Sequence, residues 1–399
     1  MKISWNRILF ITQWQFEDAL VQTYTLPYVR IIQKITACYP YVVTINKGIN
    51  RICVKKIGGI ISIQIPSGKR LLFLGWLLNI LALRKIIQKK KIAVVHPWCT
   101  TAGAVGAILK IFDKNLKLHI DSFEPHAEAM VENKTWKKSG LKFKVLFYFE
   151  KIESMAADYL IFAAPGMEKY IRDKYKTSVV NFSVKPACID LNAFSVKSIK
   201  TPDLVKKYDL ENKIVCVYAG KFGGIYLEDE TFVFIKSCES YWGKERFMFL
   251  LLSNASDEYL NVKRSKFNIE NTTIIKMFIP HSQMPKYLGL ADFAISPVKP
   301  VPTKKYCTPI KDGEYWAMGL PVVVPPNISV DSQIIRENKA GAVLESFDEK
   351  GNKDAIIQID SIIKGKSRME VYNLIRPLAE KYRNFSIAED IYKKIYGTE

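Results

Sequence analysis

Residues 308–325 read TPIKDGEYWAMGLPVVVP, and this stretch decides the fold of the second half of the chain. It predicts a short helix, a stop and a buried strand. Pro309 suits the first turn of a helix, Gly319 suits a left-handed residue just past its end, and Pro321 prevents continuation. The β-branched run at 322–324 is typical of a strand that is buried on both faces.

Lys311 is the residue of this stretch that an ordinary structural helix does not explain. A cation in the first turn opposes the helix dipole, whose positive end prefers anions. The placement becomes favourable if Lys311 and the helix N-terminus both face a bound phosphate. Glu314 lies three residues on and shares a face with Lys311. A lysine for phosphate beside a carboxylate for sugar hydroxyls predicts a nucleotide sugar as ligand; the alternative is an ordinary helix–strand unit with an exposed Lys and Glu.

The pattern P-I-K-x-x-E-Y-x-A-x-G-x-P-V-V at residues 309–323 resembles the donor-site signature of retaining glycosyltransferases of family 4. Bacterial members with this version of the signature often build lipopolysaccharide, capsule and exopolysaccharide. The resemblance implies an α/β protein with the GT-B fold, in which two Rossmann-like domains with parallel sheets face each other across a cleft. It also implies a hexosyltransferase that moves a sugar from a nucleotide-sugar donor, with retention, to a lipid-linked or other saccharide acceptor in surface polysaccharide biosynthesis.

Length and patterning indicate two domains. A chain of 399 residues usually forms two, and 48% hydrophobic residues are enough for substantial cores. Strand and helix patterns alternate, which predicts parallel sheets with crossover helices. We expect an acceptor-side domain over 1–190 and a nucleotide-sugar-binding domain over 203–382. The resemblance implies that a C-terminal helix, 383–399, crosses back to the first domain.

The positive charge is concentrated in the first half. Residues 1–190 carry 29 Lys and Arg against 13 Asp and Glu, whereas residues 191–399 carry 30 against 26. This asymmetry predicts that the first domain meets an anionic partner. The candidates are a membrane surface, a lipid-linked pyrophosphate, an anionic saccharide and nucleic acid. We expect no nucleic acid, because the aromatic residues are not interleaved with basic ones as a stacking platform.

An apolar stretch at 71–83, LLFLGWLLNILAL, is flanked by basic residues that include Lys69 and Arg70. A helix that spans a membrane needs about 20 apolar residues, and this stretch is shorter. Its composition favours a helix that lies in the lipid headgroup region, and the alternative is a core helix. Residues 1–10 have no apolar signal core, and the seven cysteines are scattered as in a reducing cytoplasm. We therefore expect a cytoplasmic protein, peripheral on the inner face of the cytoplasmic membrane.

A second candidate phosphate site opens the second domain. The predicted strand at 214–220 ends at Gly220 and is followed by Lys221 and Gly223, and such a turn can cradle phosphate with backbone N–H groups. The resemblance implies that Lys221 contacts the donor pyrophosphate, although the family's second lysine is absent and LEDE stands at 227–230. It further implies that the nucleotide base meets the main chain near Phe278 and Ile279.

Three polar residues follow a predicted strand of the first domain. Asp121, Glu124 and His126 come after the strand at 116–121, at the sheet edge where ligands bind in open α/β folds. Each can orient an acceptor hydroxyl or accept its proton. We expect Asp121 to contact substrate, whereas His126 alternatively begins a helix.

The predicted catalytic groups are therefore Lys221, Lys311 and Asp121. No metal or other cofactor is expected, because the chain has no Asp-x-Asp and no clustered His and Cys. One departure from the family signature is that its first glutamate would fall at Tyr306. Two alternatives stay open: a GT-B-like partner subunit without catalytic activity, and a basic nucleic-acid-binding protein.

Overall fold

The computed structural model describes residues 5–67 and 72–397, with the side chains of its second helix described from Leu77 onward. Lys69, Arg70 and the start of the apolar stretch lie outside the described residues. The chain divides into two compact units. The first comprises residues 1–131, 136–186 and 386–399, and the second comprises residues 132–135 and 187–385.

Strands and helices alternate along the chain. The strands are β1 Arg7–Ile11, β2 Tyr39–Asn46, β3 Cys53–Ile57, β4 Ile60–Pro66, β5 Val94–Pro97, β6 Lys117–Phe123, β7 Tyr159–Phe162, β8 Phe182–Val184, β9 Ile214–Ala219, β10 Phe247–Leu252, β11 Ile274–Met277, β12 Phe293–Ile295, β13 Val322–Val324 and β14 Gly341–Val343. The α-helices are α1 Leu26–Thr36, α2 Leu72–Lys90, α3 Cys99–Phe112, α4 His126–Glu132, α5 Leu141–Ala156, α6 Met167–Tyr170, α7 Pro202–Lys207, α8 Asp229–Trp242, α9 Asp257–Phe267, α10 Met284–Leu288, α11 Ile310–Ala317, α12 Asp331–Asn338, α13 Glu349–Ile363, α14 Arg368–Tyr382 and α15 Phe385–Tyr396.

The sheet of the first unit has the order β3-β4-β2-β1-β5-β6-β7-β8. All its pairings are parallel except that of β3 with β4. The exception is a hairpin in which Gly58 and Gly59 both have positive φ, as a two-residue turn that follows the twist of its strands requires. The sequence analysis did not predict β3, because its residues are mostly exposed and give no apolar pattern.

The last helix, α15, packs into the first unit. Tyr392 and Tyr396 are fully buried, and the Tyr396 hydroxyl lies 2.6 Å from Nδ1 of His96 at the end of β5. Burial lowers the pKa of His96, so the ring is neutral near pH 7. Aromatic rings on one face of the helix therefore fill the space above the middle of this sheet.

The second unit has a fully parallel sheet with the order β11-β10-β9-β12-β13-β14. Apolar clusters cover both of its faces. Val322–Val324, which the sequence predicts to be buried on both sides, is buried along its whole length. The expectation of two parallel, helix-covered sheets is confirmed for each unit.

Candidate functional site

The strand order of the second unit changes direction between β9 and β12. β10 and β11 lie on one side of β9, whereas β12, β13 and β14 lie on the other. Loops that leave the carboxyl ends of strands at such a point diverge and form a crevice in which ligands bind. The loop that starts at Gly220 leaves β9 here, and the loop that starts at Ser296 leaves β12. These two loops and α11 form the candidate site.

Gly220 leaves room for the side chain of Lys311. A Cβ at position 220 would lie 2.7 Å from Cε and 3.1 Å from Nζ of Lys311. Gly223 and Gly224 continue the loop with φ values of 79° and 60°, a region that glycine adopts at low cost. Because the first glycine has no side chain, the loop backbone lies directly against Lys311.

Two tyrosines surround the ammonium group of Lys311, which is the second residue of α11. Nζ donates a hydrogen bond to the Tyr226 hydroxyl at 2.7 Å. It also lies 4.0 Å from the centre of the Tyr226 ring and 5.7 Å from that of Tyr218. Within the described part of the chain, no carboxylate forms an ion pair with Lys311. The charge remains available to an anion, beside a helix N-terminus that also favours one.

Hydrogen bonds fix the C-terminal half of α11. The Tyr315 hydroxyl accepts from the N–H of Ala219, the last residue of β9, at 2.9 Å. Gly319 has a φ of 65° just past the helix, as the sequence predicts. The guanidinium of Arg368 donates to the carbonyl oxygens of Met318 and Gly319 at 2.5 and 3.0 Å. Lys311 and Glu314 therefore project from a helix with little freedom to move.

A buried charge cluster lies beneath the first turn of α11. Nη2 of Arg383 donates to both carboxylate oxygens of Asp331 at 2.6 and 2.5 Å. Asp312 is fully buried in the same place, and burial together with the Asp331 charge raises its pKa well above the ordinary value. Gly313 makes this packing possible, since a Cβ there would lie 3.1 Å from Cγ of Arg383. The cluster holds the turn that carries Lys311.

Glu314 forms a hydrogen-bonded pair with His281. Oε1 of Glu314 lies 2.8 Å from Nε2 of His281, and the carboxylate is almost buried whereas the imidazole is partly exposed. The hydrogen bond to Glu314 raises the pKa of His281 above 6.5. Among the described residues, no group donates a hydrogen bond to the second oxygen of Glu314, so the carboxylate can accept one from a ligand hydroxyl.

Phe278 and Ile279 follow β11 directly and precede His281. Phe278 is 72% exposed, whereas Ile279 is half-buried and packs on the apolar cluster that includes α11. Because His281 contacts Glu314, this segment is next to α11 in space. Lys221 is exposed in the loop after β9, and its carbonyl oxygen accepts from the Tyr218 hydroxyl at 2.6 Å. The predicted donor residues of the second unit thus lie around one crevice.

Two residues of this crevice, Tyr226 and His281, were missed by the sequence analysis. Each lies in a loop that follows a strand at the carboxyl edge of the sheet, and that position is their only sequence signal. Tyrosine and histidine are common in such loops for structural reasons. Only the observed contacts with Lys311 and Glu314 distinguish them.

Asp121 has the surroundings of a structural carboxylate, which do not favour the expectation that it contacts substrate. Its side chain is fully buried in the first unit. Tyr392 donates to Oδ2 at 2.6 Å, and Nζ of Lys185 lies 3.2 Å from Oδ1. Burial alone would raise the pKa of Asp121, but the Lys185 ammonium and hydrogen bonds from His96 and Tyr392 hold it at about 2. The carboxylate is a permanent ionic anchor for α15.

The other two acceptor-side candidates remain accessible. Glu124 and His126 are both partly buried in the segment that follows β6. His126 is the first residue of α4, as its helix-start interpretation predicts, and its N–H donates to the carbonyl oxygen of Glu124 at 2.8 Å. Part of each residue is therefore exposed to solvent.

No protein-family model matches the chain, and no curated protein matches it in sequence. Several solved structures match it in fold. The sucrose-phosphate synthase of Thermosynechococcus elongatus is 14% identical with a TM-score of 0.73, and the match covers 98% of both chains. WaaG, a glycosyltransferase involved in lipopolysaccharide biosynthesis, is 14% identical with a TM-score of 0.71, covering 98% of this chain and 100% of WaaG.

A third similar structure is HepE from Anabaena in complex with UDP. It is 12% identical with a TM-score of 0.71, and the match covers 98% of this chain and 100% of HepE. All three alignments extend over both compact units. Together with the two parallel, helix-covered sheets, they show that the chain has the GT-B fold.

Proposed function

We propose that the protein is a glycosyltransferase that binds a nucleotide-sugar donor on its second unit. The observation that carries the proposal is the position of Lys311. Its ammonium group lies at the N-terminus of α11, against the Gly220 loop, at the point where the strand order of the sheet reverses. Three features that each favour phosphate thus coincide at one place.

Each predicted donor residue has a role in this proposal. Lys221, Lys311 and the N-terminus of α11 stabilise the charge that develops on the departing diphosphate. Glu314 accepts hydrogen bonds from the ribose hydroxyls with the oxygen that His281 leaves accessible. The main chain at Phe278 and Ile279 contacts the base, which agrees with the exposure of that segment.

We propose transfer with retention and without a metal. The bond from the anomeric carbon to the diphosphate oxygen breaks, and its electron pair stays on that oxygen. The acceptor hydroxyl oxygen bonds to the anomeric carbon on the same face, and its proton passes to the leaving diphosphate. The charges of Lys221 and Lys311 make a divalent cation unnecessary for this neutralisation. Activity that persists in excess EDTA, with product of unchanged anomeric configuration, would support both points.

The proposed acceptor is a lipid-linked saccharide of a bacterial surface polysaccharide, reached at an anionic membrane. In the first unit, α5 presents an apolar stripe to solvent, formed by Leu141, Val145, Tyr148 and Met155, which are 45–75% exposed. Their spacing of four, three and seven residues places them on one helix face. Lys142 and Lys144 on the same helix are also exposed. An apolar stripe beside lysines is the composition of a surface that binds anionic lipid.

The helix α2 packs on α3, which also packs on α5. Ile80, Leu83 and Ile87 are buried, so α2 is a packing helix along one face, whereas Leu78 and Leu81 are exposed on the other. The two alternatives for the apolar stretch, core and surface, are therefore compatible in the part of it that the structure describes. No helix among the described residues has the length and hydropathy needed to cross a bilayer.

The proposal is tested by thermal-shift measurements with UDP, GDP and ADP and their sugar conjugates. A ligand at 100 times its dissociation constant stabilises by about 2.7 kcal/mol, which the assay detects. We expect one nucleotide family to stabilise the wild type and Lys350→Ala, an exposed lysine of α13, but not Lys311→Ala or Glu314→Ala. Binding without turnover would instead support an inactive partner subunit. Stabilisation by no nucleotide, with a salt-sensitive shift of nucleic acid in a gel, would overturn the proposal.

A further inference from the structure

Tyr226 has a hydroxyl group that the structure leaves ready to donate a hydrogen bond to the ligand of Lys311. We propose that this hydroxyl is a further catalytic group, which donates to the diphosphate of the donor and stabilises it as it leaves. The inference rests on the proposed function and deepens it. It also adds a diphosphate contact to Lys221 and Lys311 in a chain that lacks the second lysine of the related signature.

Backbone hydrogen bonds hold Tyr226 in place. Its N–H donates to the carbonyl oxygen of Gly223 at 3.1 Å, and Tyr226 forms an isolated antiparallel bridge with Val298. On either side of it, the N–H of Leu227 donates to Pro297 at 2.7 Å and the N–H of Lys299 donates to Ile225 at 2.9 Å. The loop after β9 is thus attached to the loop after β12. The tyrosine is positioned by main chain in the crevice and does not depend on Lys311 to stay there.

The hydroxyl hydrogen of Tyr226 is available to a ligand. A phenol has one O–H donor and can accept at its oxygen. The oxygen of Tyr226 accepts from the Lys311 ammonium, and among the described residues its O–H has no acceptor. Tyr218 differs in this respect, since its hydroxyl donates to the carbonyl oxygen of Lys221 at 2.6 Å. Tyr315 accepts from Ala219 and likewise has no acceptor among the described residues, but it is fully buried, whereas Tyr226 is partly exposed.

The acidic residues next to Tyr226 do not oppose a bound anion. Glu228 and Asp229 stand where the related signature would have its second lysine. Lys263 lies 3.2 Å from a carboxylate oxygen of Glu228 and 2.6 Å from one of Asp229, and Lys266 lies 2.5 Å from the other oxygen of Asp229. Both carboxylates are therefore paired with lysines of α9. The cations beside the loop are Lys221, Lys311 and Lys299, whose Nζ donates to the carbonyl oxygen of Gly224 at 2.7 Å.

The step requires no proton transfer by the tyrosine. When the bond between the anomeric carbon and the diphosphate oxygen breaks, the electron pair remains on the diphosphate. The Tyr226 O–H and a Lys311 N–H donate hydrogen bonds to that charge, and polarisation of the phenol by the ammonium strengthens its donation. The acceptor's proton goes to the diphosphate, so Tyr226 is unchanged after each turnover.

Tyr226→Phe tests this proposal, because it removes the hydroxyl and keeps the ring that packs on Lys311. Tyr241→Phe, an exposed tyrosine of α8, is the matched control. Dissociation constants for UDP, GDP and ADP are measured by calorimetry and compared with those for UMP, GMP and AMP. A hydrogen bond to a charged group contributes about 1.5–3 kcal/mol, so we expect Tyr226→Phe to weaken the bound diphosphate about 10-fold or more. The corresponding monophosphate and the control should change less than 2-fold.

Two outcomes would overturn the inference while leaving the proposed function intact. One is unchanged diphosphate affinity in Tyr226→Phe. The other is equal weakening of mono- and diphosphate, which would indicate general damage to the loop and no contact with the second phosphate. If wild type binds no nucleotide while remaining folded, the proposed function fails and this inference fails with it. With an assay of sugar transfer, Tyr226→Phe should lower kcat about 10-fold or more with a smaller change in KM for the donor.

Discussion

His281 and Glu314 form a pair in which Nε2 of the imidazole lies 2.8 Å from Oε1 of the carboxylate. They belong to different segments, the turn after β11 and the middle of α11. The contact fixes the direction of the carboxylate that we assign to the ribose. It also couples the geometry of the site to the protonation of one histidine, because the hydrogen bond to Glu314 raises the pKa of His281 above 6.5.

This pair makes part of the stability depend on pH. A histidine whose pKa is raised by folding stabilises most below its unfolded pKa of about 6.5, and the contribution disappears as pH rises through the folded value. We expect His281→Gln to lower Tm at pH 5.5 and to have a smaller effect at pH 9. Circular dichroism melts at the two pH values measure this. An equal effect at both would contradict the charged pair, and in a Glu314→Gln background the pH dependence should vanish.

Gly220→Ala should damage nucleotide binding through the side chain of Lys311. The new Cβ would lie 2.7 Å from Cε of Lys311, so the lysine must move, whereas a Cβ at Gly224 would meet nothing within 4 Å. Both glycines have positive φ, so each alanine costs about 1 kcal/mol of backbone strain. We expect similar small losses of Tm for Gly220→Ala and Gly224→Ala, but weaker binding of nucleoside diphosphate only in the first. Equal affinities of the two variants, measured by calorimetry, would contradict the role of Lys311.

The acids beneath α11 should respond to amide substitution in opposite ways. We expect Asp331→Asn to lower the free energy of unfolding by about 3–5 kcal/mol, because it leaves the Arg383 guanidinium buried without the charge that it contacts. The pKa of Asp312 is raised in the folded protein. Its contribution to folding stability is therefore complete below the unfolded pKa of about 4 and is lost as pH rises. Asp312→Asn removes this loss and should match or exceed wild-type stability at pH 8, with the advantage shrinking towards pH 4. Urea unfolding at both pH values tests the pair, and a large destabilisation by Asp312→Asn at pH 8 would show that the carboxyl is ionised.

The sequence predicted much of the second unit because its signals are local. Pro309, Gly319 and Pro321 limit α11 through backbone geometry that each residue imposes on itself. Lys311 was identifiable because a cation in a first turn conflicts with the helix dipole. Such conflicts mark functional positions without knowledge of the fold.

The remaining features depend on contacts between distant segments. Asp121 and Tyr392 are 271 positions apart, and their hydrogen bond is what makes the aspartate structural. Tyr226 and Lys311 are 85 positions apart. A strand-end aspartate has the same sequence signal whether it meets solvent or a buried lysine, so only the packing distinguishes a catalytic carboxylate from an anchor.

Asp121→Asn should destabilise the protein more than it affects substrate binding. The substitution would leave the fully buried Lys185 ammonium without the Asp121 charge, at a cost of about 3 kcal/mol or more at pH 7. The pKa of Asp121 is about 2 in the fold, below its unfolded value of about 4, so its contribution is present above pH 4 and is lost as pH falls towards 2. Chemical denaturation of Asp121→Asn and of Asp121→Asn/Lys185→Met measures the effect, and the double variant should recover part of the loss. Wild-type stability of Asp121→Asn with loss of turnover would instead support the expectation that Asp121 is catalytic.

The apolar stripe of α5 should determine binding to anionic lipid. Val145→Glu/Tyr148→Glu places two negative charges in the middle of the stripe, where both wild-type side chains are exposed and the fold is therefore preserved. We expect wild type to sediment with vesicles of an equal mixture of phosphatidylglycerol and phosphatidylethanolamine, less so as salt rises because the lysine contribution is screened. The double variant should remain in the supernatant. Val262→Glu, on an exposed face of α9 in the second unit, is the control and should sediment like wild type. If the α5 variant and the control sediment equally, the lipid surface lies elsewhere on the molecule.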